Sequence, residues 1–464
     1  MKFTKFGKAL LMTAFSAGVI YGVSSCVVSY TTGYLYVTGT VTAQPAGNGI
    51  ISGYRIDHNT GLLTTINGLP VSSGGANPVR AVLLTGSRFL YVLNRGLNAE
   101  GNGDCTTADP CQNANVTQFA VGGNGILTPQ HTSFTQGTNP FRLIADSSGN
   151  YLMVLEHDSP DNYATSYNPN TNGCTLALGS GVRTCGDITI FQIDQTTGRL
   201  SLVQNAQVTA AGGIPLTYFP VPSNPVDFLL TGTYVLTLTA ATQPASYPYT
   251  GGSQVWPYTY SSTGGQLTLS QNSVQTLGIN QGTAIIAAQS VVYVLDNEPV
   301  TVTSASNLPS SFTAGTYPSQ ILAYTVGANG ALQAEIQPIT PDDPSLSNPI
   351  QLLEESKHSY LYVANDGNNV QGNNPESGIV GYNVYSPFQL QFTSPSRQVG
   401  SGSGPQCIVE DPSDQFVYTA NLYDSTVTGT VIDPNSGLFH PGKVNTDYPL
   451  QGPATWCLIN GRVG

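Results

Sequence analysis

One unit of sequence recurs seven times, and nothing else in the chain restricts its fold as much. Each unit opens with a turn and an apolar strand: Asn77-Pro78, Asn139-Pro140, Asn224-Pro225, Asn348-Pro349, Gly404-Pro405 and Gly452-Pro453, with a proline-less version at Gly282-Thr283. A second strand follows, patterned aromatic-Leu-Tyr-Val. It reads Tyr34-Leu35-Tyr36-Val37, Phe89-Leu90-Tyr91-Val92, Tyr151-Leu152-Met153-Val154, Tyr234-Val235-Leu236, Val292-Tyr293-Val294, Tyr360-Leu361-Tyr362-Val363 and Phe416-Val417-Tyr418. A third strand then runs into a tight turn, as at Thr60-Gly61-Leu62, Asn124-Gly125-Ile126, Thr197-Gly198-Arg199-Leu200, Gly264-Gly265-Gln266-Leu267, Asn329-Gly330-Ala331-Leu332 and Ser436-Gly437-Leu438. Asn-Gly and Thr-Gly suit the positive φ that tight hairpins demand. The unit opened by Asn348 departs, using Ser386-Pro387-Phe388. Helical periodicity is sustained nowhere.

Four short strands per unit, repeated every 50–85 residues or so, predict an all-β chain folded as a seven-bladed β-propeller with four-stranded antiparallel blades. Pro453-Ala454-Thr455-Trp456-Cys457-Leu458-Ile459 is a first strand without followers, and Tyr34 to Val37 a second strand without a predecessor. One blade shared by the N- and C-terminal strands therefore closes the ring and removes the unpaired edges that an open ring would leave. Two sandwich domains are the rival arrangement, which explains neither the count nor the complementary ends.

The first residues belong to another pattern. Lys2, Lys5 and Lys8 precede an apolar stretch at 9–23 that is short for a membrane span, as in a secretory signal. It ends Val23-Ser24-Ser25-Cys26, which looks like a bacterial lipobox. We expect a lipoprotein-type signal over 1–25, a tether over 26–33 and the propeller over 34–464, with Cys26 acylated and the protein held on the cell envelope by its lipid. An ordinary signal peptide with a chance cysteine is the alternative. Six cysteines remain, an even number in an oxidising compartment. Cys105 with Cys111, and Cys174 with Cys185, close short loops; Cys407 and Cys457 are left for each other.

Without Lys2, Lys5 and Lys8, 11 basic side chains face 26 acidic ones, a net charge of −15. Such a surface repels nucleic acid and anionic headgroups. No paired CxxC spacing, glycine-rich phosphate loop or G-x-S-x-G elbow occurs, so neither a metal, a cofactor nor a serine nucleophile is expected.

The long insertions, at 95–115, 156–187, 240–252, 296–318 and 366–377, all separate second from third strands. They should elaborate one face, where binding resides. Two sets of positions should line the channel mouth there. The second residue after each opening proline gives Arg80, Arg142, Asp227, Gln351, Cys407 and Thr455. The ends of second strands give Asn94, Arg95, Glu156, His157, Asp158, Asp296, Asn297, Glu298, Asn365, Asp366 and Asn421. Arg80 and Arg142, with Asp227 and Gln351 beside them, could hold a carboxylate or a hydroxylated ring. Glu156 and His157 could perform acid–base work. The plainer account stands beside each: the recurrent Asn serves turn chemistry, the arginines pair with carboxylates of the next blade, and His157 sits in a loop salt bridge.

These motifs have a familiar combination. Ile188-Thr189-Ile190-Phe191-Gln192-Ile193-Asp194-Gln195-Thr196-Thr197-Gly198-Arg199-Leu200 and Thr430-Val431-Ile432-Asp433-Pro434-Asn435-Ser436-Gly437-Leu438 resemble the lactonase-type seven-bladed propeller family. That family holds 6-phosphogluconolactonases of one structural type and fungal carboxymuconate-cyclising enzymes. The resemblance spans the chain beyond the signal and implies lactone or cyclic-ester chemistry. Catalytic members tend to carry His beside an opening proline, with Arg and Glu around the channel; here no opening proline is followed by His. A phosphorylated sugar lactone is also a cytosolic metabolite, out of reach of an exported protein. Two functions remain from the sequence: an envelope propeller binding a small molecule or a protein partner on its looped face, and a hydrolase or isomerase of lactones.

Overall fold

The computed structural model describes residues 30–41, 48–84, 86, 88–103, 105–106, 108–160, 185–210, 212–240, 252–269, 275–277, 279, 281–288, 291–297, 300–302, 315–317, 319–334, 348–367, 377–386, 389–393, 402–440 and 447–460. Cys26 and Cys174 lie outside them, as do most residues of the four later insertions.

The described strands assemble as seven small antiparallel blade sheets and one two-stranded ribbon, Val300–Val302 with Gly315–Tyr317, in the insertion at 296–318. Blade 1 comprises Pro78–Leu83, Phe89–Asn94, Asn115–Val121 and Leu127–Phe134, and blade 2 Thr138–Ala145, Tyr151–Asp158, Gly186–Ile193 and Leu200–Leu202. Blade 3 holds Pro225–Thr231, Tyr234–Thr239, Gln254–Ser261 and Gln266–Leu269; blade 4 holds Gly282–Ala288, Val291–Asp296, Gln320–Val326 and Leu332–Ala334. Blade 5 is Pro349–Glu354, Tyr360–Asn365, Gly378–Ser386 and Gln389–Phe392; blade 6 is Pro405–Glu410, Phe416–Asn421, Thr426–Ile432 and Phe439–His440. Blade 7 joins the C-terminal Ala454–Asn460 to Thr31–Thr40, Asn48–Asp57 and Leu63–Thr65. Tyr36 pairs with Leu458 and Thr38 with Trp456, so the two ends of the chain share a blade as expected. The first strand of every blade packs on those of both neighbours, round a closed cycle.

Two details refine the expectation. In blades 2, 3, 6 and 7 a fifth short strand pairs with the third, beside the fourth, so the outer edge of the blade is in two pieces. The strand of blade 7 also begins at Thr31 rather than Tyr34.

The repeat's residues have local reasons. Asn77, Asn139, Asn224 and Asn348 stand at φ of 53°, 56°, 52° and 47°, and Gly404 at 69°. This left-handed turn before the first strand admits Asn or Gly most readily. In the third-strand hairpins Asp57 and Asp194 each accept two backbone N–H bonds and one threonine hydroxyl.

Second strands are apolar on both faces because alternate side chains enter opposite blade interfaces. Leu35 and Val37 pack toward blade 6, Tyr36 toward blade 1. Each of the seven interfaces between neighbouring blades carries one buried apolar cluster. In four blades the second-strand tyrosine adds a second tie, donating its hydroxyl to the hairpin-glycine carbonyl of the following blade. Tyr36 bonds Gly125 at 2.8 Å, Tyr91 bonds Gly198 at 2.6 Å, Tyr362 bonds Gly437 at 2.8 Å and Tyr418 bonds Gly61 at 2.6 Å. The two sequence motifs thus meet in space, one blade apart.

Two disulfides form as expected. Cys105–Cys111 braces the insertion of blade 1, and Cys407–Cys457 joins the first strands of blades 6 and 7 beside the ring closure. Cys185 is also disulfide-bonded.

Candidate functional site

Register decides which side chains occupy equivalent places. Each first strand has a bulge just after the opening-proline position: Pro78 pairs with Asn94 and Arg80 with Leu93, and Pro225 with Thr239 and Asp227 with Leu238. In blade 7 the same steps are Ala454 with Gly39 and Trp456 with Thr38. The equivalent of Arg80 there is Trp456, not the Thr455 inferred from counting after Pro453, because Ala454 takes the place the proline has elsewhere.

These ring positions mostly reach across to a neighbouring blade. Arg142 Nε donates to Asp227 Oδ1 at 2.9 Å, and Asp227 Oδ2 accepts from Ile285 N at 2.9 Å. Gln351 Oε1 accepts from Ile408 N at 2.9 Å. Asp227 and Gln351 therefore tie first strands together. Arg80 lies with its guanidinium 4.0 Å from the Trp456 ring centroid, and its Nη1 donates to Val79 O at 2.9 Å. Burial first, then the charge of Arg142, depress its pKa, with Asp227 acting the other way. No described salt bridge engages it.

Five residues at the ends of the second strands do not line the mouth as expected. Asn94, Glu156, Asp296, Asn365 and Asn421 are all 0% exposed. Each faces inward, into the blade's own strand pairing: Asn94 Nδ2 donates to Asn115 Oδ1 at 3.0 Å, and Asn421 Nδ2 to Thr428 Oγ1 at 3.0 Å. Glu156 fills the same slot, with Oε2 accepting from Gly137 N at 3.0 Å and from Thr189 Oγ1 at 2.5 Å. Burial raises its pKa against these hydrogen bonds. Glu298 lies outside the described residues.

His157, the next residue, behaves differently. Its side chain is 35% exposed, and Nδ1 sits 3.1 Å from Oδ1 of buried Asp158. Asp158 Oδ2 in turn accepts from Asn139 Nδ2 at 2.6 Å, while Asn139 Oδ1 accepts from Cys111 N at 2.9 Å. The disulfide loop of blade 1 thus positions Asn139, Asn139 positions Asp158, and Asp158 orients the imidazole. With Nδ1 as donor to the carboxylate, Nε2 is the nitrogen left to accept a proton.

A cavity of about 410 Å³ opens over blades 2, 3 and 4, lined by Arg95, Phe141, Arg142, His157, Val226 and Thr283, among others. Of the sequence-predicted residues, Arg95, Arg142 and His157 meet there. Arg80 and Glu156 are not on its walls. Phe141, Val226 and Thr283 were missed; each is the bulge residue of its first strand, a feature that only the register reveals. A smaller cavity of about 290 Å³ beside Gly75, Leu97 and Gln112 carries no charged group. Among the described residues no cluster of three His, Cys, Asp or Glu could hold a metal ion.

No family model and no curated sequence matches the chain. Solved structures do match its shape. A candidate 6-phosphogluconolactonase of Bacteroides fragilis NCTC 9343 superposes with a TM-score of 0.59 at 15% identity, covering 92% of this chain and 98% of its own. A counterpart from Bacteroides uniformis ATCC 8492 gives 0.59 at 13% identity, covering 92% and 100%. The periplasmic gluconolactonase of Pseudomonas aeruginosa gives 0.57 at 16% identity, covering 92% and 99%. At such identity the likeness concerns architecture: the chain has the seven-bladed propeller fold of 6-phosphogluconolactonase-like proteins.

Proposed function

We propose that this chain is an exported propeller, lipid-anchored through Cys26, that binds a hydroxylated cyclic ester or the carboxylate it yields. The site is the cavity over blades 2–4. The observation that carries the reading is the meeting of Arg95, Arg142 and His157 in that one space. Guanidinium groups suit planar carboxylate and carbonyl oxygens. A volume of about 410 Å³ accommodates a six-carbon sugar acid. The similarity in fold to a periplasmic gluconolactonase makes aldonolactones and aldonates the first ligands to try. The disulfides support an oxidising compartment, and loss of labelled palmitate in a Cys26→Ala variant tests the anchor.

The Asp158–His157 pair favours a second reading, hydrolysis. His157 Nε2 would take a proton from water as the oxygen adds to the lactone carbonyl. The ring C–O bond then breaks, and the leaving alkoxide takes that proton back, giving the hydroxy acid. Glu156 has no part in this, being sealed inside its blade. D-Glucono-1,5-lactone opening followed by pH-stat, with D-gluconate binding followed by calorimetry, separates the readings. A hydrolase loses about 10²–10⁴ in rate with His157→Ala. A binding protein holds gluconate without accelerating ring opening. Failure to bind either compound at millimolar concentration would remove both.

A further inference from the structure

Blades 1, 4 and 2 fill one slot with three different pairs of polar side chains. In blade 1 Asn94 faces Asn115, with Thr117 two residues on. The Asn94 amide donates to Asn115 Oδ1 at 3.0 Å and Thr117 Oγ1 at 3.3 Å, and Ser73 Oγ donates to its carbonyl at 2.6 Å. In blade 4 Asp296 faces Gln320, which donates to Oδ2 at 3.0 Å, while Gln281 N donates to Oδ1 at 2.7 Å. Neither version needs an added proton. In blade 2 the slot holds Glu156 facing Asp187, with Thr189 two residues on.

Both carboxyls are 0% exposed and share the Thr189 hydroxyl, which lies 2.5 Å from Glu156 Oε2 and 3.5 Å from Asp187 Oδ2. Glu156 Oε1 and Asp187 Oδ1 are buried with no hydrogen-bond partner among the described residues. Among the described residues the surroundings bring no compensating cation. Asp158, on the same strand, adds negative charge, and His157 is turned to Asp158. Arg142, on the adjoining first strand, is engaged by Asp227 of blade 3. The loop at 135–137 and the strand Phe219–Val221 carry no charged residue. No described salt bridge reaches either carboxyl. Two carboxylates side by side in a dry site cannot both ionise cheaply, so one proton is shared.

We propose that Glu156 and Asp187 share a single proton and form a pH-operated latch beneath the cavity, closed while the proton is bound and released when it leaves. Glu156 precedes His157 on its strand and pairs across to Pro140, two residues before Arg142. Repulsion between the two carboxylates therefore loads the strands that carry both cavity side chains. Burial first, then the charge of Glu156, hold the Asp187 acid well above the ordinary carboxyl range. The folded chain thus keeps a proton that the unfolded chain releases above about pH 4. Stability falls as pH rises from there to the folded-state value, and levels beyond it. The effect on binding rests on the function proposed above; the latch itself is read without ligand.

Thermal midpoints of the ligand-free protein, from about pH 4 to about pH 9, supply the test. Wild type should lose midpoint as pH rises. Asp187→Asn, which copies the acid–amide pair of blade 4, should flatten the curve and stand about 2–3 °C higher at the alkaline end. Parallel curves overturn the latch. Should Asp187→Asn fail to fold, carbon-labelled histidine in wild type reads the same event. A second inflection of the His157 signal over the range in which midpoint is lost supports the proposal, and one imidazole titration alone overturns it. If millimolar calcium chloride stabilises wild type but not Asp187→Asn at the alkaline end, a cation occupies the pair and the shared proton is refuted. With D-gluconate as probe, affinity should fall over the same range in wild type and hold in Asp187→Asn. Absence of gluconate binding at every pH removes the ligand reading alone, and the thermal curves still decide the latch.

Discussion

Blades 5, 6, 7 and 1 keep the repeat's tyrosine tie, whereas blades 2, 3 and 4 depart from its polar chemistry, and the larger cavity lies over the second group. Tyr362, Tyr418, Tyr36 and Tyr91 each bond a hairpin glycine of the next blade. Met153 and Leu236 stand in that position in blades 2 and 3, while blade 4 keeps a buried Tyr293. The slot at the end of the second strand holds Asn in blades 1, 5 and 6 but Glu156, Thr239 and Asp296 in blades 2, 3 and 4. In the regular blades 1, 5 and 6 an asparagine amide fills the slot and donates within its own blade. Where the repeat departs from this, arginine, imidazole and paired carboxyls gather beneath one cavity. Departure from the repeat is therefore a better guide to function than the repeat itself.

The largest expected effect lies in the regular group. Replacing Cys407 and Cys457 with serine opens a loop with a sequence separation of 50, and should cost about 4 kcal/mol by chain entropy, measured by calorimetric unfolding. Asn94→Asp, which gives blade 1 the chemistry of the departing group, should make it pH-sensitive. The buried acid is tolerated while protonated, and about 2–3 kcal/mol is lost as pH rises through its titration, seen in denaturant midpoints. Tyr418→Phe leaves the Gly61 carbonyl unpaired and should cost about 1–2 kcal/mol, mostly as faster unfolding. The smallest effect on stability belongs to the cavity itself. Arg142→Gln should change unfolding free energy by about 1 kcal/mol or less, since Asp227 retains backbone donors at Phe228 and Ile285.

Much of the architecture is legible in the sequence because each blade repeats its turns and apolar strands, and the terminal strands are complementary halves. Cys105–Cys111 is legible from the short loop it closes, and Cys407–Cys457 by elimination. The tyrosine ties are not, because hydroxyl and acceptor lie in different units, as Tyr91 and Gly198 do. Glu156 reads as a mouth residue because it lies at the end of a second strand with His157, yet alternation along a strand sends neighbours to opposite faces. Trp456 is missed because Gly452-Pro453 imitates the other openings, while Ala454 occupies the register position of their proline. Arg142 and His157 are found by position, and Asn139, which links the disulfide loop to Asp158, reads only as a turn residue.

Calorimetric titration of D-gluconate against Arg142→Gln and Gln351→Ala puts the comparison to its most direct trial, since the two residues occupy equivalent ring positions in blades 2 and 5. We predict at least a tenfold loss of affinity for Arg142→Gln and an unchanged value for Gln351→Ala. Equal losses in both, or a loss confined to Gln351→Ala, would contradict a site over blades 2–4.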